Sequence, residues 1–166
     1  MKKGWILFFI LICCLSACST NSDEHVFSQK IFQSFVNSTH NSIPNTIQDG
    51  AIQVSINLDG QHYPSGTEDI TLSIVNNGDP LFFGTPYLIE KFDEKSQSWK
   101  EVTFRKDVGF DQIGLTINQS MQKDEKITIG SSMLSKPLAS GFYRVIKSFS
   151  TDGDKTIKLS AIFQLL

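Results

Sequence analysis

The chain has 166 residues, with 15 Lys and Arg against 17 Asp and Glu, so its formal net charge is −2 at pH 7. This mildly acidic, mixed-charge composition argues against nucleic acid as a partner, because phosphate contacts need clustered Lys and Arg. The length suits one domain with short additional segments.

The first elements in chain order are those of a secretion signal. Lys2 and Lys3 precede a short apolar run from Trp5 to Leu15, and Leu15-Ser16-Ala17-Cys18 follows in the pattern of a bacterial lipobox. In such a signal the chain is cut before the cysteine, whose sulfur carries a diacylglyceryl group. The alternative, an uncleaved membrane anchor, needs roughly 20 apolar residues, and this run is shorter. We therefore predict a lipoprotein signal peptide over residues 1–17 and a lipid on Cys18. This places the protein on the extracytoplasmic face of the cell membrane.

The cysteine positions limit how the remaining chain is stabilised. Cys13 and Cys14 lie in the predicted signal peptide, and the lipid would occupy Cys18. Removal of residues 1–17 leaves 149 of the 166 residues, with 13 Lys and Arg against 17 Asp and Glu, a net charge of about −4. The mature chain then has no disulfide and no thiolate metal ligand.

Residues 18–50 are rich in Ser, Asn and Thr and predict a lipidated tether. Within them, apolar side chains recur at helical spacing over Phe27–Val36. This stripe predicts a short amphipathic helix that lies either on the membrane or a partner, or on the domain's own flank. The second interpretation is favoured because the polar face carries only Lys30, whereas membrane-surface helices have basic faces. Ser42–Asp49 then predicts an irregular linker.

From Ala51 onward the apolar residues alternate with polar ones, as they do in half-buried strands. About eight short strands separated by turn residues are predicted: Ile52–Leu58, Ile70–Ile74, Tyr87–Phe92, Trp99–Phe104, Ile113–Ile117, Lys126–Gly130, Phe142–Phe149 and Thr156–Leu165. Short connections force antiparallel neighbours. The predicted fold over residues 51–166 is therefore all-β, an antiparallel immunoglobulin-like β-sandwich, without the inter-sheet cysteine pair of antibody domains.

Four segments carry a resemblance to a known family: Thr71–Asn77, Tyr87–Lys91, Trp99–Val102 and Leu138–Lys147. From about Val54 to Leu166 the chain resembles the bacterial Ig-like domains of Gram-positive surface lipoproteins. That family commonly has Pro-Gly-x-Tyr-Arg where this chain has Ser140-Gly141-Phe142-Tyr143-Arg144, so the turn glycine is kept and the proline is not. The resemblance implies a non-enzymatic module.

The sequence offers no pattern typical of a catalytic, cofactor or metal site. It has no G-x-S-x-G nucleophile elbow, and its histidines, His25, His40 and His62, are not at ligand spacing. Asp152-Gly153-Asp154 lacks the further oxygen ligands of a calcium loop and predicts a hairpin turn. The adjacent carboxylates Asp124 and Glu125 would point to opposite faces of a strand and make a poor acid/base pair.

Three residues are predicted to have structural roles. Tyr143 follows the turn residue Gly141 at the start of a strand, where a tyrosine corner places its ring in the core and its hydroxyl on upstream backbone. Trp99 follows a polar turn and is predicted to cap one sheet edge.

A candidate partner contact lies in the segment Pro80–Pro86, predicted to be a loop at one end of the sandwich. Because consecutive side chains on extended backbone cannot all face inward, at least one of Leu81, Phe82 and Phe83 should be exposed. The segment either plugs the open end of the sandwich, which is favoured, or offers an aromatic patch to a partner.

These features predict a lipid-anchored cell-surface module with a binding or envelope-support role. Its expected contacts are the membrane, through Cys18, and an envelope protein or glycan. Two alternatives stay open, a protease-inhibitor-like module and an accessory subunit of an envelope enzyme. A loop cleaved slowly by a protease would favour the first, and convergent polar groups in a pocket would favour the second.

Overall fold

A computed structural model describes residues 29–38, 42–153 and 155–166. Residues 29–36 form a short helix, α1, and none of the helical residues described belongs to a helix long and apolar enough to cross a membrane. The strands are β1 (Thr46–Asp49), β2 (Ile52–Leu58), β3 (His62–Tyr63), β4 (Asp69–Asn76), β5 (Leu81–Gly84), β6 (Leu88–Asp93), β7 (Ser98–Glu101), β8 (Gly114–Ile117), β9 (Met121–Thr128), β10 (Gly141–Ser150) and β11 (Thr156–Leu165).

The strands form two sheets that pack as a sandwich. Sheet A has the order β1-β2-β4-β9, and sheet B has the order β3-β11-β10-β5-β8, with the β6–β7 hairpin joined to β10. The pairings are antiparallel except for the short β3, which runs parallel to β11. The predicted all-β, immunoglobulin-like sandwich is thus confirmed.

The core follows from the alternation read in the sequence. On β4, Ile70, Leu72 and Ile74 are buried while the residues between them are partly exposed. Ala161 and Phe163 on β11 belong to the same buried cluster and come from the other sheet. Alternate side chains of a strand point to one face, so each sheet contributes a continuous apolar surface and the two surfaces close over one another.

Strand β10 changes partner along its length. On one side it pairs with β11 over its whole length. On the other side it pairs with β6 over Tyr143–Ile146 and with β5 over Phe149–Ser150. This change divides the strand into two halves with different surroundings.

Each of the eight predicted strands overlaps a strand of the structure, although β9 begins at Met121 rather than near Lys126. The prediction of an irregular linker over Ser42–Asp49 is wrong, because Thr46–Asp49 forms β1 and pairs with β2. The segment before it is also tied down, since Ser160 donates its backbone N–H to Pro44 at 2.8 Å and its hydroxyl to the Ile43 carbonyl at 2.6 Å. The short strand β3 was not predicted.

Candidate functional site

The predicted lipidation residue, Cys18, lies outside the described residues, as do His25, His40 and Asp154. Cys18 therefore stays a prediction from sequence. Among the residues that the structure describes, no group of three His, Cys, Asp or Glu side chains could hold a metal ion.

The segment Leu81–Phe83 lies in β5 and not in a loop, so both the predicted loop and the predicted plug over the end of the sandwich are wrong. Leu81 and Phe83 face the core, whereas Phe82 is 41% exposed on the outer face of sheet B. The expectation that at least one of the three is exposed is confirmed, and the reason is strand alternation. The prediction failed because four residues between Pro80 and Thr85 are too few to show a period of two.

Phe82 lies between two shallow hollows and lines both. The first, of about 470 Å³, is lined on its polar side by Asp79, Thr151 and Asp152. The second, of about 430 Å³, is lined by small residues that include Ser148, Ser150 and Thr156 and by the glycines Gly84 and Gly114. We call Phe82 and these two hollows the Phe82 surface.

Tyr143 has the geometry predicted for a tyrosine corner. Its ring is 1% exposed and stacks on Phe163 at 5.5 Å between centroids, and its hydroxyl donates to the Ala139 carbonyl at 2.6 Å. Gly141 has a φ of +143°, and a Cβ there would lie 3.1 Å from the Lys91 side chain. The glycine thus permits the entry into β10 that brings Tyr143 over its own upstream backbone.

Trp99 lies on β7, which pairs only with β6 at this edge of sheet B. Its ring covers a cation, since the Arg144 guanidinium lies 4.4 Å from the ring centroid. Phe35 of helix α1 meets the same ring edge-on at 5.9 Å. Trp99 therefore does more than cap an edge, because it shields Arg144 from solvent.

Arg144 forms a buried ion pair that the sequence did not predict. Its side chain is 6% exposed and lies 2.6 Å from the Glu90 carboxylate on the neighbouring strand β6. Both residues are on the outer face of sheet B, where the Trp99 ring covers the guanidinium. A signal was present in the sequence, since Arg144 is a charged residue in an otherwise apolar stretch of β10. The pairing of β6 with β10 was needed to place Glu90 beside it.

Lys147 forms a second buried ion pair, and this one lies between the sheets. Its side chain is fully buried, and its ammonium lies 2.5 Å from the Glu125 carboxylate on β9 of sheet A. It also donates to the Thr85 carbonyl at 3.3 Å. Burial lowers the pKa of Lys147, and Glu125 partly offsets that effect. Glu125 faces inward while Asp124 is exposed, as predicted for neighbours on a strand.

Helix α1 covers part of the outer face of sheet B. Phe35 stacks on Phe142 of β10 at 4.1 Å between ring centroids and meets Phe92 edge-on at 4.8 Å. Phe32 is 2% exposed and contacts the His62 ring at 5.1 Å. Phe32 and Phe35 of the apolar stripe thus pack on the domain's own flank, the interpretation that its weakly basic polar face favoured, whereas Ile31 is 42% exposed. Phe27 lies outside the described residues.

Comparison with known proteins identifies the family of this chain. The family model described as "Bacterial Ig-like domain" matches residues 50–164, which is most of the chain. No curated protein matches the chain.

Three solved structures show only distant similarity. An alkylpurine DNA glycosylase, AlkC, of Pseudomonas fluorescens, bound to DNA with an abasic site analogue, is 12% identical with a TM-score of 0.40. The alignment covers 69% of this chain and 30% of the glycosylase chain, so this chain spans under a third of that protein. The PmoD soluble domain of Methylocystis sp. is 9% identical, with a TM-score of 0.36, covering 73% of this chain and 97% of that one. The CARDB domain of the PF1109 protein of Pyrococcus furiosus, in complex with di-metal ions, is 7% identical, with a TM-score of 0.35, covering 78% of this chain and 100% of that one.

Proposed function

Because the chain belongs to the bacterial Ig-like domain family, we propose that it is a lipid-anchored binding module of the cell surface with no catalytic activity. Leu15-Ser16-Ala17-Cys18 is the observation that supports the anchoring, since it follows a short apolar run with two lysines at its start. Two acyl chains, at about 0.8 kcal/mol per buried CH₂, hold a protein stably on a membrane, whereas one chain is marginal.

The binding role is supported by the contrast between two buried cations and Phe82, the one exposed aromatic side chain among the residues that the structure describes. Arg144 and Lys147 are buried and each pairs with a carboxylate, so their charges are directed at partners within the domain. Phe82, by contrast, presents a large apolar side chain to solvent between two hollows. Exposed aromatic residues beside concave surfaces are typical contact residues. Phe82 is therefore the partner-contact residue of the proposal, with Leu81 and Phe83 holding it from the core side.

The anchoring is tested by feeding cells an alkyne-tagged fatty acid and comparing the parent protein with Cys18→Ser. We expect Cys18→Ser to lose all label and to migrate as the uncleaved precursor, because the acceptor sulfur of the cleavage site is gone. Cys14→Ser is the matched control, since it removes a neighbouring cysteine of the predicted signal peptide and should be labelled and cleaved like the parent. Equal labelling of Cys18→Ser would refute the anchoring.

A further inference from the structure

We propose that the Phe82 surface binds a glycan whose sugars carry free amino groups. The inference rests on the proposed cell-surface function and names the class of ligand for it. Its basis is the set of groups around Phe82: its own exposed ring, small hydroxylated side chains, and two carboxylates that form no ion pair with any residue the structure describes.

The Phe82 ring and the neighbouring hydroxyls match the two kinds of surface on a pyranose, its apolar C–H face and its hydroxyl groups. Phe82 offers an apolar ring surface on which the C–H face of a pyranose can rest. Ser148, Ser150 and Thr156 line the hollow on one side. The Ser148 and Thr156 hydroxyls can both donate to and accept from sugar hydroxyls, whereas the Ser150 hydroxyl donates to the Phe82 carbonyl at 3.4 Å and can accept. Gly114 leaves that hollow open, because a Cβ there would point into space with nothing within 4 Å. Apolar surface with a few placed polar groups is the composition of small-ligand sites.

The carboxylates select the charge of the ligand. Asp79 and Asp152 line the other hollow and are both exposed. Among the ion pairs of the described residues, neither takes part, and the nearby Lys155 is engaged with Asp49 at 3.2 Å. A carboxylate accepts strong hydrogen bonds from an ammonium group and repels an anion. The first hollow therefore favours amino sugars over uronic acids.

The same surface is a poor protein interface. Of the residues that line the two hollows, Phe82 is the only large apolar side chain that is exposed. Specific protein interfaces bury at least about 1,000 Å² around an apolar centre. One ring among small hydroxylated residues and carboxylates fits a sugar chain better than such a centre.

The test titrates three oligosaccharides into the full-length chain purified in detergent, with calorimetry as the readout. The probes are a glucosamine oligomer, the matching N-acetylglucosamine oligomer and a uronic-acid oligomer. We expect the glucosamine oligomer to bind at least about tenfold more tightly than the N-acetylated one, because one additional charge-assisted hydrogen bond accounts for a difference of that size. No binding is expected for the uronic-acid oligomer. Absence of glucosamine binding, or tighter binding of the uronic acid, would overturn the proposal.

Variants then place the ligand on this surface. Phe82→Ser should weaken glucosamine binding at least about tenfold with an unchanged melting temperature. Leu88→Ser is the matched control, since Leu88 is also exposed on sheet B, at 37%, but lines neither hollow. Asp152→Asn should remove the preference for the aminated oligomer. Binding that survives in Phe82→Ser, or falls equally in Leu88→Ser, would overturn the assignment.

Two further outcomes stay informative. If Phe82→Ser has a lowered melting temperature, Phe82→Leu replaces it, because leucine keeps apolar volume without the ring. Loss of glucosamine binding in Phe82→Leu supports the proposal, and retained binding overturns it.

The titration uses purified protein, so it does not depend on Cys18 labelling. A chain that is labelled but binds no aminated glycan refutes this inference alone, whereas a chain that binds the glycan but lacks the lipid refutes the anchoring alone. Capture of a protein through Phe82 on cells, with no glycan binding, would also overturn the inference.

Discussion

The two halves of β10 show how one strand can serve stability in one part and leave a surface free in another. In the half that pairs with β6, both faces of the strand are covered. Tyr143 faces the core, and on the outer face Arg144 is covered by Trp99, which helix α1 contacts in turn. The half that pairs with β5 is covered on its core face, where Lys147 meets Glu125. Its outer face carries only serines beside the exposed Phe82.

The two halves of β10 should therefore respond differently to substitution. In the first half, substitutions on either face should destabilise the fold, because every side chain there has a packed or charged partner. In the second half, only the core face should matter for stability. The outer face is then available for a ligand, and substitutions there should alter binding without altering folding.

The largest effect is expected at Tyr143, on the doubly covered half. Tyr143→Ala should lower the free energy of unfolding by about 3–5 kcal/mol, because it leaves a cavity in the core. Tyr143→Phe should cost only about 1 kcal/mol, the value of the hydrogen bond to Ala139. Urea unfolding monitored by circular dichroism measures both. Parent-like stability of Tyr143→Ala would show that the core face of this half is not tightly packed.

Lys147 tests the core face of the other half. Lys147→Met should cost about 3 kcal/mol, because it leaves the Glu125 carboxylate buried without its partner. The double variant Lys147→Met/Glu125→Leu should return to within about 1 kcal/mol of the parent, since the charge that needs a partner is gone.

Lys126→Met is the control for this pair. Lys126 lies 3.3 Å from Asp69 in an ion pair exposed at 72% and 41%, so its loss should cost under about 1 kcal/mol. A Lys147→Met variant as stable as Lys126→Met, or a double variant no better than Lys147→Met, would contradict the burial of this pair. Chemical unfolding of the four proteins under one buffer makes the comparison.

Phe32 tests the helix that covers the first half. Phe32→Ala should cost about 2 kcal/mol, the value of burying one large apolar side chain. The loss should be local, since the helix can separate while the sheets stay folded. Hydrogen exchange over residues 29–38 should therefore rise sharply, while β10 and β11 keep their protection. Equal loss of protection in β11 would show that the helix is an integral part of the fold.

Phe82 should give the smallest effect on stability. Phe82→Ser places a hydroxyl where the ring is already partly exposed to solvent. The free energy of unfolding should therefore change by no more than about 0.5 kcal/mol, as for an ordinary surface substitution. Phe83→Ser on the same strand is the contrast, because Phe83 is buried against Phe149 at 5.5 Å. Equal melting temperatures for Phe82→Ser and Phe83→Ser would show that the outer face beside β5 is packed as tightly as the core face.

The sequence was most informative where a strand is long and half-buried. The alternation over Ile52–Leu58 predicted a strand, and the turn at Gly141 predicted the position of Tyr143, because both signals are local. The strands β1 and β5 were not predicted, because four residues are too few to show the alternation of apolar and polar residues. The pairing of β5 also depends on strands that are distant in the sequence.

The charged pairs were missed for a related reason. Arg144 and Glu90 are 54 residues apart, and only the register between β10 and β6 makes them neighbours. Lys147 and Glu125 belong to different sheets, so their contact depends on how the two sheets stack. A pattern along one strand contains neither piece of information.

The mass of the N-terminal tryptic peptide from membrane-extracted protein shows directly whether a lipid holds this Ig-like domain on the cell surface. We expect a peptide of residues 18–30, from Cys18 to Lys30, that carries glycerol and acyl chains on the cysteine sulfur. A chain that still begins before Cys18, or a residue 18 with a free thiol, would contradict it.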